Sequence, residues 1–171
     1  MSAPALLHTL FSYQAWANGE LLQKMEGLDA ERHTAERHTA LRLVNHSYVV
    51  SQIFAAHLVG KEHAFSTDNT SETPSLAGLR TAVTASDRWY LEYVEAVTPA
   101  LLSESVPFVF TDGDRGCMSR EEMLVHVVTH AGYHRGEVGR IMTQLSIGLP
   151  WDTFAVYLHR NDPSRRLKAD L

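Results

Sequence analysis

The stretch HVVTHAGYHRGE, residues 126–137, sets His126, His130 and His134 four residues apart and follows the last with Arg135, Gly136 and Glu137. On a helix, imidazoles at i and i+4 reach toward one point, and a neutral imidazole nitrogen is a common ligand of divalent metals. The spacing therefore raises the chemistry of a metal centre. HAGYH lacks the glutamate that HExxH supplies as general base in zincin proteases, which disfavours that class of site. A di-iron carboxylate centre is disfavoured as well. It wants two Glu-x-x-His pairs and further inward glutamates, whereas Glu137 stands alone here.

The helix that must carry these residues opens at Ser119, which forms a capping box with Glu122, and runs to about Ile147 before Gly148 and Pro150. On a wheel of 100° per residue, Leu124, Val127, Val128, Ala131, Val138, Ile141, Met142 and Leu145 mark the apolar face. His134 lies about 50° from the centre of that face, His130 about 90° and His126 about 130°. The pair directed at one ion is then His130 and His134, with His126 looking largely outward.

Two histidines do not make a metal site, so a second helix must contribute. ALRLVNHSYVVSQIFAAHLVG, about residues 40–60, carries His46 and His57 on the face marked by Leu43, Val50, Phe54 and Leu58. The two lie about 16 Å apart along the axis, so both cannot serve one site. Periodicity does not choose between them. His33 and His38 fall in the tandem duplication AERHTAERHTA, residues 30–40, read as a polar connection or the frayed start of the second helix. No metal site is expected there, because no apolar wall excludes water.

The remaining elements form the frame. A first helix spans about Pro4 to Met25, with Leu7, Leu10, Phe11, Trp16, Leu21 and Leu22 at helical spacing. The polar stretch 61–75 reads as a long loop. A third helix fits about 75–97, capped by Ser75. Residues 105–119, with the turn-like TDGDRG, read as a small hairpin, and WDTFAVYLHR as one more short helix. Four long amphipathic helices in a 171-residue chain predict one all-α domain, a four-helix bundle over 1–171. The long connection between helices two and three permits parallel neighbours and an up-down-down-up course.

Composition excludes several partners. A net charge of -5 with interspersed acids and bases argues against nucleic acid. No apolar run approaches a membrane span, and the N-terminus has no signal-peptide pattern. The one cysteine, Cys117, leaves no intrachain disulfide and suits a reducing cytoplasm.

The ending HVVTHAGYHRGEVGRIMTQLSIGLPW resembles the signature of the DinB-like proteins, in which a histidine and three further residues precede His-Arg-Gly. FSYQAWANGELL resembles that family's first helix, LVNHSYVVSQIFAAHLVG its second, and VPFVFTDGDRGCMSREEMLVHVV the hairpin leading into its fourth. The likeness covers about residues 5–158. It implies an up-down-down-up four-helix bundle with a divalent metal, zinc or nickel, on His46, His130 and His134. The family usually has glutamine where this chain has Glu137. That acid can orient His134 from behind, serve as a fourth ligand, or stand solvated, and the last is the first expectation.

Three imidazoles leave coordination positions open, as catalytic metal sites do. The resemblance implies a metal-dependent thiol S-transferase or hydrolase acting on a small-molecule substrate, with a low-molecular-weight thiol as cosubstrate. The alternatives are a non-catalytic metal- or small-molecule-binding stress protein, or a metal that only stabilises the bundle. The family's relatives are often homodimers. Trp151, Phe154 and Tyr157 are available to cover either the bundle or a partner. Arg135 and Arg140 are read as surface charges, against the alternative that they attract an anionic thiol.

Overall fold

The computed structural model describes residues 2–167, so Met1 and residues 168–171 of the expected domain lie outside the described residues. The long helices are α1 (Ala3–Lys24), α2 (Thr34–Leu58) and α3 (Leu76–Ala96), followed by a single turn α4 (Pro99–Leu102). A two-stranded antiparallel sheet, β1 (Ser105–Val109) and β2 (Arg115–Ser119), leads into α5 (Arg120–Gln144) and the short α6 (Phe154–Asn161). The protein is mainly helical, as expected. In the hairpin Ser105 pairs with Ser119 and Phe108 with Gly116.

Local chemistry accounts for the boundaries. Ser75 accepts the backbone N–H of Gly78, and Ser119 and Glu122 complete the reciprocal capping box expected from their spacing. Each such cap contributes on the order of 1 kcal/mol. The α2 helix starts at Thr34, earlier than the expected residue 40. The duplicated AERHTAERHTA is rich in alanine, glutamate and arginine, which favour helix even without an apolar face. The α2 helix stops where Gly60 takes a positive φ of 65°.

Helix α1 packs against α3 and α5, and α2 packs against the same two. Two apolar cores fill the bundle. One gathers Leu7, Phe11, Phe54, Tyr90, Phe108 and Met123, and the other Leu21, Leu22, Leu41, Leu79, Val138 and Met142. Phe11 stacks on Tyr90 with ring centroids 4.8 Å apart. Burying each such side chain contributes roughly 1.5–3 kcal/mol. Along every long helix the two cores are separated by buried polar residues: Gln14 on α1, Ser51 on α2, Ser86 and Asp87 on α3, and Arg135 on α5. This polar layer positions the site.

Phe154 and Tyr157 of α6 pack on Tyr13 of α1, with centroids 5.5 and 6.0 Å away, so these two cover the bundle. Trp151 remains 70% exposed. No helix among the described residues is long and apolar enough to cross a membrane.

Candidate metal centre

His46 of α2 and His130 and His134 of α5 meet on the flank of the polar layer, with ligand nitrogens all within 4.8 Å of one another. Nε2 of His130 lies 3.2 Å from Nε2 of His46 and 3.1 Å from Nε2 of His134. Three nitrogens each ~2.0–2.1 Å from a tetrahedral zinc would be ~3.3 Å apart. The spacing therefore fits a divalent ion. Among the described residues no other group of three histidine, cysteine or acidic side chains converges in this way.

Hydrogen bonding on the far sides of the rings fixes which nitrogens face the centre. Nδ1 of His46 sits 2.8 Å from the backbone carbonyl of Asp68, an oxygen that can only accept. That nitrogen must carry the proton, so in the neutral ring Nε2 is a bare lone pair. Nδ1–H of His134 donates in the same way to the Glu137 carboxylate at 2.6 Å, which leaves its Nε2 bare as well. His130 Nε2 can donate one proton to only one of these two lone pairs. A cation satisfies all three at once, and that is the fit of the donor set to a metal.

The rings are held ready for this. Burial, with the neighbouring rings of His134, His46 and His126 adding to it, pushes His130 down to about 3. Burial also holds His134 below the usual imidazole value, against the opposing pull of Glu137. Both are therefore neutral near pH 7, the form a metal requires.

The loop after α2 sets His46. Asn45 Nδ2 donates to Asn69 Oδ1 and, at 2.7 Å, to Thr70 Oγ1. Asn69 Nδ2 donates to the Arg42 carbonyl at 3.0 Å, and Arg42 donates to the Thr70 carbonyl at 2.6 Å. These bonds strap residues 69–70 to α2 and bring the carbonyl of Asp68 onto His46. His57, three turns further along α2, lies outside the group. His33 and His38 also lie outside it. His33 accepts the backbone N–H of Asp29, and His38 bonds Thr73.

Three expectations need correction. Glu137 is not a solvated substitution, since its carboxylate grips His134 from behind, one of the two alternatives weighed. His126 does not look outward. It is half-buried, with its ring 4.6 Å from Phe54 and 5.3 Å from His130. Arg135 is no surface charge: it is 5% exposed and donates to Asp152 at 2.6 Å and Asn18 at 3.1 Å. A helical wheel counts only its own helix, and both misplaced residues are covered by other elements. Arg140 is exposed, as expected.

Sequence reasoning also missed Asp87. It is buried against Asn18 and Gln14, and burial raises it to about 6, with those hydrogen bonds and Arg135 pulling the other way. Its place among tyrosine and leucine on an amphipathic helix gave no signal. Asp68 gave no signal either: its backbone carbonyl makes the closer contact with His46, its carboxylate standing 3.5 Å from the same nitrogen, and a loop brings both there.

No curated protein and no solved structure matches the chain. The family model described as DinB family matches residues 1–166, so the chain belongs to the DinB family.

Proposed function

We propose that this chain is a metal-dependent enzyme, a thiol S-transferase or a hydrolase, built around zinc or nickel on His46, His130 and His134. The observation that carries the reading is the pair of far-side acceptors, the Asp68 carbonyl and the Glu137 carboxylate, which aim two bare Nε2 lone pairs at a third. A divalent ion bound there supplies Lewis acidity, which favours the anionic form of a thiol or of water. The residues themselves hold three neutral nitrogens in one place, and Glu137 fixes the tautomer and tilt of His134. In a transfer, the thiol sulfur forms the new bond to an electrophilic carbon. The leaving group departs with its bonding pair, and the thiol proton goes to solvent.

We propose an up-down-down-up course over one domain, and the helix pairings support it. Asn18 and Leu22 of α1 meet Asp87 and Arg80 of α3, an antiparallel order, while Gln52 and Leu58 of α2 meet Ser86 and Tyr93 in parallel. His46 and Leu58 of α2 meet His130 and Arg120 of α5 in antiparallel order. One family model over residues 1–166 supports the single domain. The exposed Trp151 supports the proposed homodimer. The single cysteine supports a cytoplasmic setting.

Metal content by plasma spectrometry tests the ligand set. His46→Ala, His130→Ala and His134→Ala should each lose the ion, and His57→Ala and His126→Ala should keep it. A stoichiometric ion in His46→Ala sinks the assignment. A panel of electrophiles with glutathione and other thiols, with and without chelator, tests the activity. Turnover that needs metal supports the enzyme, and metal binding without any turnover favours the non-catalytic stress protein.

A further inference from the structure

Beside the three histidines lies a cleft of about 200 Å³ between α2, α5 and the hairpin. His46 and His130 form one end of it. Its walls are mainly Val50, Ile53 and Phe54 from α2 and Phe108, Val109 and Phe110 from β1 and the turn after it, with His57, His126 and Thr111 also lining it. Of the lining residues only Asp68 carries a fixed charge, and none is a lysine or arginine. Apart from the ion proposed at the histidine end, an anionic body would find no cation along these walls.

The hairpin is shaped to present its rings. Phe108 and Phe110 meet edge to face with centroids 4.7 Å apart, and Phe108 lies 5.8 Å from Phe54. Across the ladder stands Gly116, where a Cβ would come within 2.8 Å of the Phe108 ring and 2.9 Å of the Phe110 ring. The glycine gives both aromatics room to lie over the cleft. Phe110 and Val109 are still 47% and 48% exposed, an apolar cost at the surface that a bound apolar body would relieve.

We infer that this cleft seats the uncharged aromatic or branched-aliphatic body of the substrate, with the reacting atom at the end formed by His46 and His130. The inference rests on the metal-dependent reading and names the substrate class for that site. The volume exceeds the roughly 150 Å³ of an apolar cavity that takes benzene and falls below the roughly 300–1,000 Å³ of drug-sized sites. A body of one or two rings matches it.

The test uses 2-naphthol and 2-naphthalenesulfonate as neutral and anionic probes, titrated by fluorescence into chelator-treated protein. 2-Naphthol should bind without metal, at least tenfold more tightly than the sulfonate. Val50→Trp, which fills the cleft, should weaken it at least tenfold while zinc still binds stoichiometrically. Phe110→Ser, at the exposed turn, should weaken it severalfold and serves as the second variant if Val50→Trp does not fold. Equal or tighter binding of the sulfonate, or 2-naphthol affinity untouched by the substitutions, overturns the inference. His134→Ala separates the two readings. Loss of zinc with 2-naphthol affinity retained is the expected result. Zinc retained there would defeat the metal assignment and leave the cleft standing, and loss of 2-naphthol affinity there would count against the cleft.

Discussion

His134 and Arg135 are neighbours in α5, yet they enter polar clusters of opposite character. Around Arg135 donors and acceptors are matched save for Gln14 Oε1, which has no partner: the guanidinium donates to Asp152, Asn18 and Tyr13, and Asn18 and Gln14 donate to Asp87. Tyr13 closes the set by donating to Asp152 at 2.5 Å. Around His134 three lone pairs converge with at most one proton among them. A matched network ties α1, α3, α5 and the segment before α6 together. A set of converging acceptors does the reverse until a cation arrives. The lesson is that a buried polar cluster is read by its balance of donors and acceptors rather than by its polarity.

If the contrast holds, the largest stability loss comes from the matched side. Arg135→Ala leaves Asp152 without its cation and should cost about 3–5 kcal/mol in urea unfolding. Metal per folded molecule should stay stoichiometric. Metal loss in parallel would merge the two clusters into one.

The next effect is a pH dependence. Asp87 sits near 6 in the fold, against about 3.9 for an ordinary aspartate in the unfolded chain. The fold therefore binds this proton more tightly. The stability it contributes is complete below about pH 4 and is lost as pH rises through about 6, a total near 3 kcal/mol. Asp87→Asn should remove that slope from chelator-treated protein, measured as unfolding free energy from pH 4 to 7. Identical slopes in the two proteins would show Asp87 to be ordinary.

The smallest effect sharpens the histidine side. Glu137→Gln keeps an acceptor for His134 but removes the charge, and should weaken zinc by about 10–100-fold with little change in metal-free stability. Competition against a chelator of known affinity reads it. Unchanged zinc affinity would return Glu137 to the solvated role.

Helices, caps, hairpin and the inward direction of His130 and His134 were legible in the sequence, because periodicity and capping are local. The choice of His46 over His57 was not legible from the wheel, since both share the apolar face of α2. What separates them is their level along α2: His46 stands opposite His130, and a loop delivers the Asp68 carbonyl to it from 22 residues away. Arg135 escaped for the same reason, as its partners stand on α1 and beyond the end of α5. Local rules reach as far as the helix, and burial of a charge is decided by what packs over it.

The strap over His46 has a consequence for how this site can change. Its acceptor is a main-chain carbonyl, which every residue type at position 68 supplies. A changed side chain there keeps this carbonyl and removes only the carboxylate 3.5 Å from the same nitrogen, whereas gaining or losing one residue between Gly60 and Asn69 moves the carbonyl off its mark. Lineages of such a chain would be held to the length of this segment and to the Asn69 and Thr70 side chains that strap it, and freer elsewhere in its letters.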